Sequence, residues 1–289
     1  MNIHEISTDR QGGVVYWDAD PVRKDVLDGA FTDFGLANQL PRRMKRATAL
    51  RLAMADYIEA NRTGRKKARI DLNPLDRRVC GFEAVLQSKG DEQNQHAYQF
   101  TAKVNTADET VRVTSGGIPM GQTADDYMTA RYQQHLLYYC GSTVGALLKR
   151  AVVSWRGTSL KGRGGVYFLP DAAIDQYRDL DSRITASGAA CQLHVIRFPI
   201  GKDDATTRSV IGGFRDEVRS LIEELNGDLL GDAEMRERGV STRIARLTEA
   251  REKIAFYCDL FSVSLDDLRE AVETTTVAIK MANLSKISA

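Results

Sequence analysis

The side chains best placed to hold an anion lie at Trp155-Arg156-Gly157-Thr158-Ser159-Leu160-Lys161-Gly162-Arg163-Gly164-Gly165-Val166-Tyr167-Phe168-Leu169-Pro170. Arg156, Lys161 and Arg163 bring cations that can neutralise phosphates, and the glycines let a backbone turn tightly beside them. A dinucleotide fingerprint needs a strand before its glycines and a helix after them. Here a helical pattern precedes the glycines and Val166 to Leu169 reads as a strand, so the context predicts a basic hairpin. Arg156, Lys161 and Arg163 are expected to face a partner, and Val166 to Leu169 to fix the hairpin to the core. A second set of cations sits earlier. Arg42, Arg43, Lys45 and Arg46 open a helical pattern, and Arg65, Lys66 and Lys67 fall in a turn.

Other chemistry is thinly represented. Gly141-Ser142-Thr143-Val144-Gly145 has phosphate-loop glycines but no following Gly-Lys-Ser/Thr, and it falls inside a helical pattern. The histidines His4, His96, His135 and His194 stand alone, without a second ligand at metal spacing. His135 on an apolar stripe reads as a core residue. Cys80, Cys140, Cys191 and Cys258 are far apart, each in an apolar context, and are expected to be buried free thiols. No catalytic residue, metal ligand or cofactor is expected. A metal nuclease would need clustered carboxylates and a lysine. Asp71 and Glu83 fall on neighbouring predicted strands, but Lys89 lies about 20 Å further along an extended chain than Glu83.

The elements that must position these residues follow from periodicity. Val14 to Trp17 reads as a strand, and Asp20-Pro21 as a cap opening a helix to about Phe31. A helix is predicted over 41–60, with Leu50, Met54, Tyr57 and Ile58 on one face and cations crowding its first turns, against the helix dipole. Four strand-like runs follow, around 68–72, 79–86, 97–104 and 110–114. Turn-formers separate them, so they predict an antiparallel meander with one packed face. A long helical pattern runs from Ala124 to Trp155, with a kink or close crossing at Gly141 and Gly145. After the hairpin, Asp171 opens a helix with Ile174, Tyr177, Leu180 and Ile184 inward, and Cys191 to Pro199 is a strand, giving a βαβ-like unit. From Thr206 three amphipathic stripes predict a helical tail, partly coiled-coil in character, with a capping box at Ser264 and Asp267.

The fold class expected is therefore α+β: an antiparallel four-stranded meander, a long central helix, a basic Gly-rich hairpin with a βαβ-like unit, and a C-terminal helical tail. The expected domains are 1–200 and 201–289.

Charge says more about partners than composition does. The net charge of the 289-residue chain is +1, yet the signs are segregated. Residues 42–78 hold twelve cations against four carboxylates, 149–163 hold cations and no acid, and the chain beyond 203 is acidic. No apolar run spans a membrane, and the first twenty residues lack a signal-peptide profile, so a cytoplasmic location is expected.

Lys45-Arg46-Ala47-Thr48, a β region, a long helix and then Gly164-Gly165-Val166-Tyr167-Phe168-Leu169-Pro170 resemble an uncharacterised family of phage and bacterial proteins, over about residues 38–230. The resemblance implies this fold and a phage or defence context, and carries no activity or site residues.

The function expected is non-enzymatic binding of DNA or RNA, with Arg42, Arg43, Lys45, Arg46, Arg65, Lys66, Lys67, Arg156, Lys161 and Arg163 against the phosphate backbone. A helix followed by a basic hairpin is also analogous to a recognition helix and wing. The alternatives are an oligomeric interaction protein that assembles or docks a partner protein through its helical tail, and a metal-dependent nuclease.

Overall fold

The alternation of Phe100, Ala102 and Val104 with Thr101 and Lys103 builds the centre of one sheet. A computed structural model describes residues 11–60, 69–74, 80–87, 96–115, 117–160, 165–199, 205–231 and 237–287. In it β3 (Arg69–Pro74), β4 (Gly81–Gln87), β5 (His96–Asn105), β6 (Thr110–Ser115) and β7 (Ile118–Pro119) form an antiparallel meander in chain order. The four predicted strands are present, and the two-residue β7 adds a fifth. Phe100, Ala102, Val104, Val111 and Val113 are buried on one face. They pack with Leu50 and Met54 of α2 (Arg46–Ala60) and Met128 and Tyr132 of α3 (Gln122–Leu137).

Three boundaries differ from the sequence reading. Asp20-Pro21 does not open a helix. Val22–Arg23 is a short strand, β2, and α1 (Lys24–Asp33) starts after it with no side-chain cap. The helix predicted over 41–60 begins only at Arg46, so Arg42, Arg43 and Lys45 precede it in irregular backbone, with the Lys45 carbonyl accepting the Ala49 N–H at the positive end of the helix dipole. The helical stretch from 122 to 154 is divided: α3 ends at Leu137, β8 (Tyr138–Tyr139) pairs with β2, and α4 (Gly141–Ser154) follows. The tyrosines extend because the β2 ladder and a side-chain bond hold them, Tyr139 donating to Asp28 at 2.8 Å.

The second sheet has the order β11–β1–β10–β9, from β1 (Gln11–Asp18), β9 (Thr158–Ser159), β10 (Tyr167–Pro170) and β11 (Gln192–Pro199). β10 and β11 both run antiparallel to β1, which lies between them. The βαβ-like unit is thus split: its two strands are parallel but not neighbours. α5 (Asp171–Ala186) joins them and buries Ile174, Tyr177, Leu180 and Ile184, as the spacing predicts.

The tail is three helices, α6 (Ala205–Gly231), α7 (Glu237–Phe261) and α8 (Asp266–Ile287). Its buried stripes, Val210, Phe214 and Val218 with Leu247, Ile254, Leu268 and Val272, share one core with Phe168 of β10. Ser264 accepts the Asp266 N–H at 3.4 Å, while Asp267 pairs with Arg215 of α6 rather than completing a capping box.

The chain divides into two compact units, and not at residue 200. One unit holds 1–19, 145–186 and 191–289; the other holds 20–144 and 187–190. The tail falls in the first unit because Phe168 and the helices bury one another.

Candidate nucleic-acid interface

In the second unit the cationic segment is fixed at one point. Arg46 donates to one oxygen of Glu109, through Nε at 2.8 Å and through NH2, and Tyr132 donates to the other oxygen at 2.5 Å. Glu109 ends the β5–β6 turn with φ of +55°, a left-handed backbone that side chains other than glycine rarely adopt. Its carboxylate therefore joins three elements: the turn, the start of α2 and the middle of α3. Burial pushes the Glu109 carboxyl up, but the Tyr132 hydroxyl and the Arg46 guanidinium more than offset this, so it titrates below the usual range. Arg46 is thus consumed as an anchor. Arg42, Arg43 and Lys45, just before it, are exposed and form no ion pair among the described residues.

In the first unit the hairpin grows from the end of α4. Arg156 N–H bonds the Val153 carbonyl and Gly157 N–H the Val152 carbonyl at 2.8 Å, the two bonds of a Schellman motif. The left-handed residue of that motif is Arg156, with φ of +63°, rather than a glycine. A glycine is instead needed one residue later, where a Cβ on Gly157 would lie 2.4 Å from Val152 Cγ1 and 2.8 Å from two carbonyl oxygens.

Thr158 and Ser159 then pair with Phe168 and Tyr167, and Leu160 N–H closes on the Val166 carbonyl at 3.0 Å. A buried network holds this stem. Lys253 of α7 donates to the Gly157 carbonyl at 2.7 Å and to Glu217 of α6 at 2.6 Å, and the Thr158 hydroxyl donates to the other Glu217 oxygen at 2.5 Å. The Tyr257 hydroxyl donates to the Arg156 carbonyl at 2.9 Å. Burial lowers the Lys253 pKa against the pull of Glu217. The exposed Arg156 guanidinium lies 4.8 Å from the Phe256 ring centre, a cation–π stack. Tyr167, Phe168 and Leu169 are buried core residues, as expected for the hairpin's second half, whereas Val166 is exposed.

The ten expected binding residues thus fall into three groups. Arg42, Arg43, Lys45 and Arg46 form one segment of the second unit, and Arg156 stands in the first. Arg65, Lys66, Lys67, Lys161 and Arg163 lie outside the described residues, as does Lys89 of the nuclease alternative. In the β3–β4 register Asp71 faces Val85 and Glu83 faces Asn73, so the two carboxylate-bearing positions are diagonal neighbours. Among the described residues no group of three His, Cys, Asp or Glu side chains is arranged to hold a metal ion. No helix among them is long and apolar enough to cross a membrane.

Two places depart from the sequence reading of single residues. His135 is not sealed in a core: its Nε2 lies 2.8 Å from Asp56 Oδ2, linking α3 to α2. Of the four cysteines expected to be buried, Cys191 is; Cys80 and Cys258 are half-buried, and Cys140, between β8 and α4, is exposed. Its Sγ lies 3.3 Å from Ser142 Oγ and 3.2 Å from Thr143 Oγ1, and hydrogen bonds from both lower the thiol to about 7. The glycine-rich run that follows opens a helix after a short strand, a context the unbroken helical pattern had hidden. Lys24 donates to the last carbonyls of α3, of His135 and Leu136, both at 2.7 Å, which fixes that junction.

The fold and the cationic segments define an α+β protein of two compact units, each with its own helix-covered antiparallel sheet. Within that class the chain belongs to a family of unknown function, DUF6744, whose model matches residues 12–286. The uncharacterised family expected from Lys45-Arg46-Ala47-Thr48 and the Gly164–Pro170 run is thereby shown, and over more of the chain than those motifs spanned. Comparison with curated proteins and with solved structures gives no match.

Proposed function

We propose that the chain binds nucleic acid through its phosphate backbone, without catalysis. The observation that carries this reading is the segment before α2. Three cations in four residues, Arg42, Arg43 and Lys45, stand exposed on irregular backbone with no carboxylate partner among the described residues, and the next residue, Arg46, is locked to Glu109. Unpaired cations on a fixed base can meet phosphates without first breaking an ion pair. The hairpin supplies the second contact, with its stem held by Lys253 and Glu217 and its cations at Arg156, Lys161 and Arg163. A cytoplasmic setting in phage or defence biology belongs to the same proposal.

The test is a binding titration of labelled single- and double-stranded DNA and RNA at two salt concentrations. Arg42→Ser with Arg43→Ser and Lys45→Ser should weaken binding, and so should Lys161→Ala with Arg163→Ala. Neither set should lower the melting temperature by more than a few degrees. Absence of salt-dependent binding to all four nucleic acids by the wild-type chain would overturn the reading.

One observation favours assembly through the tail as a second reading. Val277 and Met281, one turn apart on α8, are exposed by 56% and 63%, an apolar pair suited to another helix. Light scattering should then give a mass above that of one chain, and Val277→Glu with Met281→Glu should return it to a monomer.

A further inference from the structure

The outward face of the β5–β6 hairpin has an unusual composition. Its register sets Thr101 opposite Thr114, Lys103 opposite Arg112, and Asn105 opposite Thr110. The intervening residues, Ala102, Val104, Val111 and Val113, are buried on the other face. All six outward positions therefore carry a hydroxyl, an amide or a cation, with no carboxylate and no apolar side chain.

Like charges directly opposite in a ladder destabilise the sheet, so Lys103 against Arg112 is a cost borne by the free protein. Both are exposed, and neither forms an ion pair among the described residues. Of the carboxylates just before Arg112, Glu109 is engaged by Arg46 and Tyr132, and Asp108 accepts the Thr110 N–H at 3.1 Å and the Thr110 hydroxyl at 2.7 Å; these bonds, with a smaller attraction from Arg112, hold the Asp108 pKa below the usual range. On the β4 side Lys103 faces Gly81, which has no side chain, and the nearest carboxylate-bearing position, Glu83, stands opposite Thr101, diagonal to Lys103. Beyond Arg112 the β7 strand has already ended, since it pairs only with Thr114 and Ser115. Next to the cation pair, the Thr101 and Thr114 hydroxyls sit 2.7 Å apart and can turn to donate to an oxyanion.

We infer that this face of the hairpin is a second contact surface for the phosphodiester backbone of nucleic acid, with Lys103 and Arg112 as its charged centre. The inference rests on the nucleic-acid reading above and extends it to residues outside the basic tracts. Two neighbouring cations that repel each other gain by sharing a polyanion, whose phosphates neutralise both. The described residues place no aromatic ring on the β5–β6 face, so the contact is with phosphates and not by base stacking. Glu109 at the turn ties the ribbon to Arg46, so the hairpin presents its face on a fixed base.

The experiment uses the full chain and fluorescein-labelled single- and double-stranded DNA over a range of salt. Lys103→Gln with Arg112→Gln should weaken binding by roughly ten-fold at low salt and reduce the slope of log K against log salt by about 2, one unit for each phosphate no longer neutralised. The melting temperature of that variant should stay level or rise, since a repulsion is removed. Arg219→Gln with Arg251→Gln, two exposed cations on the tail helices, should leave affinity and slope near wild type. If the wild type binds and the Lys103 and Arg112 variant binds equally well, this inference fails while the nucleic-acid reading stands. An equal loss in the Arg219 and Arg251 variant would reduce the effect to overall charge and overturn it too. A wild-type chain that binds no nucleic acid sinks both.

Discussion

Glu109 and Arg156 are two residues, of three with Ser262 among the described residues, where a local backbone preference is overridden by what surrounds it. Both hold left-handed backbone without being glycine, which costs about 1–2 kcal/mol each. Each is held there by bonds from other elements: Arg46 and Tyr132 on the Glu109 carboxylate, Tyr257 and the α4 carbonyls around Arg156. Because the Glu109 carboxyl is depressed in the folded state, its contribution to stability is present above the ordinary Glu value of about 4.3 and is lost as pH falls through the folded value. Acid unfolding followed by tyrosine fluorescence should therefore be less steep for Glu109→Gln than for wild type below that pH. An unchanged acid limb would refute the hub. At the hairpin, Arg156→Ala keeps the left-handed strain and loses the Phe256 stack, so it should cost about 1 kcal/mol, whereas Arg156→Gly relieves strain and should be nearly neutral. Cys140 belongs to this scale too. With its thiol lowered to about 7 and its side chain exposed, iodoacetamide should alkylate it first of the four cysteines, with a rate midpoint near pH 7. Peptide mapping that finds Cys80, Cys191 or Cys258 modified earlier would contradict the hydrogen bonding of Cys140 to Ser142 and Thr143.

At the scale of elements, adjacent glycines in α6 have opposite demands. A Cβ on Gly212 meets nothing within 4 Å, while one on Gly213 would lie 2.3 Å from the Ser159 carbonyl oxygen. Gly212→Ala should raise stability by about 0.5–1 kcal/mol, since alanine is the better helix former. Gly213→Ala should lower it by roughly 1–3 kcal/mol through overpacking against β9. Urea titrations of the two variants check the signs, and equal effects would mean α6 does not cross β9 this closely. The Lys253 network secures the same hairpin from α7. Lys253→Met leaves the Gly157 carbonyl and one Glu217 oxygen without their donor, while Thr158 still donates to the other Glu217 oxygen. It should cost about 3 kcal/mol, the lower end for a broken buried pair because Glu217 keeps about a third of its side chain in water. Adding Glu217→Gln should recover part of that loss, and a double variant no better than the single one would count against the pairing.

At the scale of the whole molecule, a net charge of +1 gives no general attraction to a polyanion, so any binding must come from local segregation of charge. Losing Arg42, Arg43 and Lys45 together should reduce the salt slope for DNA by about 3. A slope that does not change would remove this segment from the interface even if binding persists. The hydrophobic cores bear on the same question of organisation. Phe168 shares a core with α6, α7 and α8, so the helical tail is not a domain of its own. Its predicted separation came from the change in pattern at residue 200, which marks where strands stop but says nothing about which surface the helices cover.

Periodicity was enough to fix the elements wherever one face is buried. The meander, the inward residues of α5 and the three tail helices follow from spacing alone, because burying an amphipathic face leaves one orientation open. Charge segregation was likewise legible, since it needs only the order of residues. What tertiary structure decided were the junctions and the pairings. Tyr138 and Tyr139 suit a helix by spacing, yet β2 and Asp28 draw them into a strand. Lys103 and Arg112 are nine positions apart in the chain and become neighbours only through the β5–β6 register. That register was within reach of sequence reasoning, since the turn after Asn105 sets it. The Glu109 and Lys253 networks were not, because each joins groups from separate elements whose approach depends on how whole faces pack.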